Sequence, residues 1–274
     1  MRTREPKSQS TNDVDQFTAS AELFAEEPID LIEKIEAFPK YASRQAIAKF
    51  LTKYEIFKLI LPVNGSIIEC GVLHGGGLLA WAKLSSLLEP ANHPRKVIGF
   101  DTFAGFPGVH TKDVTGGEFH DLRQGGLTGT RLEWVERSVE VYDLNRPIAH
   151  IPKVELVPGN LCDTAPRFVA DNRHLVVSLL YLDVDLYEPT KAAIEAFRPL
   201  MPKGAVIVFD ELNAKIFPGE TIAAHETLKL SELRLRRFPF DMSRTPCLNK
   251  SPHLRCMETM HIKEEWWAVL GSNQ

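Results

Sequence analysis

Apolar positions along the chain change their spacing after residue 62. From about Ala21 to Ile60 they recur with a helical period. Ile29, Ile32, Ile35 and Phe38 follow it up to Pro39; then Ile47, Phe50, Leu51, Tyr54, Phe57 and Leu61 are spaced for one buried helical face. Pro62 and Gly65 end this run. Beyond it, short apolar runs alternate with helical stretches. Residues 66–70 are strand-like and lead through Gly71 and Gly75 to Gly77 into a helix over 78–88. Residues 96–100 form a second predicted strand ending on Asp101, and 153–157 a third ending at Pro158 and Gly159. The nearly continuous apolar run 176–182 suits a central strand covered on both faces. A helix over 189–200 leads into a fifth strand, 205–209, and 234–238 with 266–270 are predicted to form an antiparallel edge pair.

Repeated strand–helix–strand units of this kind predict an α/β fold, a mostly parallel doubly wound sheet. Residues 1–20 read as a disordered polar tail, 21–62 as an N-terminal helical extension and 63–274 as the main domain. Composition narrows the function. Of 274 residues, 44% are hydrophobic and 25% charged, which excludes collagen, low-complexity chains and disulfide scaffolds. The formal charge of -4 gives no global case for gripping nucleic acid or an anionic membrane. No apolar stretch approaches the roughly 18 residues that span a bilayer, and Met1 to Gln16 lack the apolar core of a secretory signal. The four cysteines show no CxxC spacing and read as reduced thiols, so the expected location is cytoplasmic.

In open α/β sheets ligands bind outside the carboxyl ends of the strands, so the residues there carry the chemistry. After the first strand comes Glu69, then Gly71 with Gly75, Gly76 and Gly77. Gly71 is followed by Val72 and Leu73, which fails the G-x-G-x-x-G dinucleotide fingerprint. An acidic residue two before the first glycine better resembles the first motif of S-adenosylmethionine-dependent methyltransferases, although a tight turn with a surface glutamate reads the same way. Asp101 can accept both hydroxyls of a ribose, or cap a helix. Asp163 can take an adenine amino group, or cap the helix beyond it.

The strongest signal is Asp183 and Asp185 after the central strand. On an extended chain they project to one side, where bare carboxylates repel. Asp210 and Glu211 bring two more to the same sheet edge. A bound cation relieves that repulsion, and oxygen-only ligands suit Mg²⁺, Mn²⁺ or Ca²⁺. Solvated loop caps are the alternative. Among nine histidines none pairs as HxxxH or HxD, against zinc and facial-triad iron sites; His74 and His225 lie near the candidate site. Seven glycines between Gly105 and Gly129 suggest a lid over the ligands.

With these motifs the chain resembles the macrocin O-methyltransferase family. The matching residues are 68–72 with Gly75 and Gly76, 101–107, 157–159 with Asp163 and Thr164, 182–188 and 208–211, within about Tyr41 to Asn213. The resemblance implies a Rossmann-like class I methyltransferase fold and Mg²⁺-dependent methyl transfer from S-adenosylmethionine to a hydroxyl, usually of a sugar. It implies Asp183, Asp210 and Glu211 as metal ligands and Asp185 as general base. It places Glu69, Gly71, Asp101, Thr102, Phe103 and Asp163 around the cofactor. Two departures stand out: Glu211 where a second Asp is usual, and Val184 where Gly is usual. The expected acceptor is a small sugar-containing molecule, and the chain is expected to form a homo-oligomer. The rival readings are an NAD(P)-dependent sugar dehydrogenase or epimerase and a non-catalytic adenosine-binding subunit.

Overall fold

The computed structural model describes residues 11–114, 121–240 and 245–249. Three helices, α1 (Thr11–Glu26), α2 (Leu31–Glu36) and α3 (Arg44–Ile60), precede the sheet. The chain then alternates: β1 (Ser66–Cys70), α4 (Gly76–Leu88), β2 (Val97–Asp101), α5 (Leu132–Asp143), β3 (Val154–Pro158), α6 (Leu161–Asp171), β4 (Val177–Leu182), α7 (Tyr187–Phe197) and β5 (Val206–Phe209). It continues with α8 (Pro218–Thr227), β6 (Leu233–Leu235) and β7 (Thr245–Asn249).

The strand order is β3-β2-β1-β4-β5-β7-β6. The first five strands are parallel, and β7 runs antiparallel between β5 and β6. The strand order reverses between β1 and β4, the switch point at which ligands enter such sheets. The five predicted parallel strands all form, within one residue of their expected ends. The edge differs: β6 pairs with Thr245–Asn249, and residues 266–270 lie outside the described residues.

Alternation along β4 explains its continuous apolar run. Leu180 and Leu182 pack with Phe100, Phe168 and Phe197 under α6 and α7, while Leu179 and Tyr181 pack with Trp81, Ile56 and Phe57 under α3 and α4. Both faces are therefore core. Arg95, 3% exposed, ties the end of α3 to the strand entries. Its guanidinium donates to the carbonyls of Ile60, Val63 and Gly65 and to Ser178 Oγ.

Two sequence expectations fail in the helical extension. Residues 11–20, expected to be a disordered tail, belong to α1. On α3 the buried face is rotated from the one expected: Phe50, Leu51 and Leu61 are exposed, whereas Lys53, Ile56, Phe57 and Ile60 are buried. These four follow i, i+3, i+4, i+7 spacing, but the first is a lysine, so a purely apolar stripe misses it.

Candidate active site

The turn after β1 is built by close backbone approach. Gly71 sits at φ +93°, its N–H donating to Phe100 O. A Cβ there would lie 2.0 Å from the Asp183 carbonyl oxygen, and Asp183 N donates back to Cys70 O. Glycine is therefore obligatory at 71, because it lets the β1 turn touch the end of β4. Asp101 braces the same turn. One carboxylate oxygen accepts from Val72 N and Leu73 N at 2.7 and 2.9 Å, the other from Phe103 N at 2.7 Å. Leu73 and Phe103 are both held at positive φ by this bracing. Thr102 turns inward on its own loop, Oγ1 donating to Gly105 O. Helix α4 starts at Gly76, two residues before the expected position, after Gly75 at φ +81°. Its first-turn amides have no acceptor within the helix, and nothing lies within 4 Å of a Cβ placed at Gly76.

Beneath this turn Glu69 is 2% exposed. Its partner is Lys53 of α3, with Nζ 3.6 Å from Oε1. That ammonium also lies over the rings of Trp81 and Tyr181, at 4.4 and 3.7 Å from their centroids. Burial pushes the Glu69 carboxyl from 4.5 up to about 7 against the pull of Lys53, and Asp183 and Asp101 add to the rise. A Cβ at residue 77 would fall 2.0 Å from Glu69 Oε1, so Gly77 opens the slot that this carboxylate fills. Glu69 Oε2 is buried without a hydrogen-bond partner.

The acidic ends of β4 and β5 lie beside that turn. β4 stops at Leu182, and Asp185 takes a left-handed φ of +62°. The extended alternation expected for Asp183 and Asp185 therefore breaks, and the pair is presented by a turn closed by Leu186 N on Val184 O. Asp210 is buried and accepts from Tyr181 Oη at 3.1 Å. The structure adds a carboxylate the sequence reading did not select. Glu220, in the first turn of α8, is fully buried, and its Oε2 accepts from Glu211 N at 2.7 Å. Burial first, then Asp210, push its pKa well above the usual carboxylate range; Asp185 and Asp183 act in the same direction.

No three His, Cys, Asp or Glu side chains among the described residues already converge as a metal cage. The donors fit a hard divalent cation in chemistry and charge: they are all oxygens, they repel one another, and Glu220 Oε1 is buried without a partner. Gathering them on one ion requires side-chain rotation at this ledge.

Three further positions singled out by the sequence are exposed. Asp163 is exposed in the first turn of α6, whose cap is Asn160, accepting from Cys162 N. His74 is exposed and bonds Thr130 Oγ1 at 2.8 Å; His225 is exposed on α8. The described parts of the glycine-rich segment are tied down. Phe106 exchanges backbone hydrogen bonds with Gly125 and Gly126. Asp113, 1% exposed, accepts from His110 N and Tyr187 N and presses against Gly219. A cavity of about 100 Å³ opens between this segment and the starts of α6 and α7, with Asp113, Asn160, Cys162 and Glu188 in its wall. Among the described residues no helix is long and apolar enough to cross a membrane.

Comparison with known proteins places this geometry. The macrocin O-methyltransferase family model matches residues 58–228, which hold every motif above. A 4'-O-methyltransferase from Streptomyces olivaceus, named for an 8-demethyl-8-(2,3-dimethoxy-alpha-L-rhamnosyl)-tetracenomycin-C, is 30% identical over 54% of this chain and 53% of its own length. The demethyldecarbamoylnovobiocin O-methyltransferase of Streptomyces niveus is 27% identical over the same shares. The chain thus spans about half the length of the curated relatives it matches. The calicheamicin methyltransferase CalS11 superposes with a TM-score of 0.84 at 30% identity, covering 91% of this chain and 98% of its own. With five parallel strands wound in class I methyltransferase order and a family match through both the glycine turn and the acidic ledge, the chain belongs to the macrocin O-methyltransferase family.

Proposed function

We propose that this protein transfers a methyl group from S-adenosylmethionine to a hydroxyl of a sugar-containing small molecule, with a divalent cation, Mg²⁺ foremost, at the acidic ledge. The supporting observation is the contact of Gly71 with the Asp183 backbone, which sets a nucleoside-type turn against a cluster of carboxylates. S-adenosylmethionine supplies an electrophilic methyl. Asp101 rigidifies the turn and keeps acceptor capacity for a ribose hydroxyl beyond the three amides it already holds. Gly71, Thr102, Phe103 and Asp163 would line the same cofactor, with Glu69 beneath the turn. The first-turn amides of α4 suit the carboxylate of an amino-acid moiety.

Asp183, Asp210 and Glu211 would hold the cation. When bound, it would fix two vicinal oxygens of the acceptor and lower the pKa of one. Asp185, held on a left-handed turn, would take the hydroxyl proton. The glycine-rich segment, anchored at Phe106 and Asp113, would cover both ligands and exclude water. Exposed Leu31, Ile32 and Ile35 on α2 support assembly as a homo-oligomer. The nicotinamide and non-catalytic readings lose ground, because the family match favours methyl transfer and the carboxylate cluster has no use in passive nucleoside binding. The test is an acceptor screen with labelled S-adenosylmethionine and Mg²⁺, read by mass spectrometry. Label that never reaches any glycosylated or nucleotide-linked sugar, while S-adenosylmethionine still binds, overturns the assignment of the acceptor class.

A further inference from the structure

We infer that Glu220 is a further carboxylate of the cation site, its buried Oε1 reserved for the ion while Oε2 positions Glu211. The inference rests on the cation requirement proposed above.

Three observations carry it. Glu220 is 0% exposed on the first turn of α8, where the residue before it, Gly219, is pressed against Asp113 and the start of α7. The carboxylate therefore cannot swing out to water without unpacking the helix start. Its Oε2 accepts from the backbone N–H of Glu211, which places the whole carboxylate at the acidic ledge. Its Oε1 is buried with no hydrogen-bond partner. A buried acceptor left unmade costs free energy that selection for packing alone would remove by substituting a neutral residue. Asp210, Asp185 and Asp183 all act on this carboxylate with like charge. A divalent cation satisfies an acceptor in such surroundings, and added anionic ligands raise the affinity of oxygen sites for hard cations.

The test uses the full chain and Mn²⁺ alone, without S-adenosylmethionine or acceptor, so that binding is read apart from turnover. Glu220→Gln preserves volume and retains a carbonyl oxygen for the Glu211 amide, but its other end is an NH₂ group that cannot ligate. Calorimetry or Mn²⁺ electron paramagnetic resonance should show affinity lowered roughly tenfold or more, the range known for perturbing groups that support metal sites. In parallel, the rise in melting temperature on adding Mg²⁺ to EDTA-treated protein should shrink in the variant, while its melting temperature in EDTA equals or exceeds that of the parent. Wild-type Mn²⁺ affinity in Glu220→Gln shows that the residue only holds the Glu211 amide, and overturns the inference while leaving the cation reading intact. If the unmodified chain binds no Mn²⁺, both fall. Should Glu220→Gln melt far lower in EDTA, Glu220→Ala with Mn²⁺ titrated at low temperature decides, since a ligand role predicts weakened binding there too.

Discussion

Glu69 gives a pH dependence whose size and sign follow from its burial. Its carboxyl stands at about 7 in the fold and 4.5 in the unfolded chain. Below pH 4.5 both states hold the proton. Between 4.5 and 7 the folded protein keeps a proton that the unfolded chain has released, so each rise in pH favours unfolding. Above 7 the fold carries the full cost of an ionised buried group. Each pKa unit is about 1.4 kcal/mol, so this one side chain removes about 3 kcal/mol of stability across the window. Glu69→Gln removes that loss. In urea denaturation without metal or cofactor, variant and parent should match at about pH 4 and differ by about 3 kcal/mol at about pH 8, the variant being more stable. In melting temperature the gap is roughly 6–12 °C for a chain of this size. Lys53→Met supplies the second arm. It removes the cation that pulls the Glu69 pKa down, so the falling limb should move to higher pH. Parallel pH profiles for parent and Glu69→Gln, or a limb in Lys53→Met displaced to lower pH, would refute the reasoning.

Three further outcomes follow. Gly71→Ala places a methyl 2.0 Å from the Asp183 carbonyl at a φ of +93°, and should lower stability by at least about 2 kcal/mol in thermal denaturation. Unaltered melting would show that the contact is slack. Asp101→Ala strips the acceptor from three turn amides and should weaken S-adenosylmethionine binding by about 1.5–3 kcal/mol in calorimetry; an unchanged dissociation constant contradicts it. Asp185→Asn keeps a residue that tolerates left-handed backbone, so cation and cofactor binding should persist while kcat falls about 10²–10⁴-fold. Excess Mg²⁺ should not restore that variant but should partly restore Asp183→Asn; an identical response of the two to added metal means that they act as one unit.

The sheet was legible because each parallel strand is ended by a glycine or an acidic residue, and in β1, β2, β4 and β5 burial on both faces leaves little else such apolar runs can become; edge strand β3 is only partly buried. Strand ends place Asp101, Asp183 and Asp210 without further information. What pattern reading missed was set by tertiary partners. Lys53 sits where the helical stripe calls for an apolar residue, and the Glu69 carboxylate beneath the β1 turn, with the Trp81 and Tyr181 rings, makes a lysine tolerable there. A lone cation inside an apolar stripe is the signal that was available. Glu220 lies nine residues after Glu211 in sequence and meets it through one backbone hydrogen bond. Its clue was an acidic residue directly after Pro218 and Gly219 at a helix start. The turn at Asp185 was invisible for another reason: alternation assumes that the strand continues, and β4 ends at Leu182.

Lys53 also bears on how this protein can be divided and recombined. The family model's match begins at residue 58, so the lysine that balances the β1 glutamate lies just before the matched segment. The N-terminal helices and the sheet are thus joined by a charge as well as by packing. A chimera that grafts residues 58–228 onto another leader inherits an acid without its counterion. Exchanges of N-terminal helices between relatives should therefore succeed only when the donor brings a cation at the position of Lys53, or when Glu69 is neutralised in the same step.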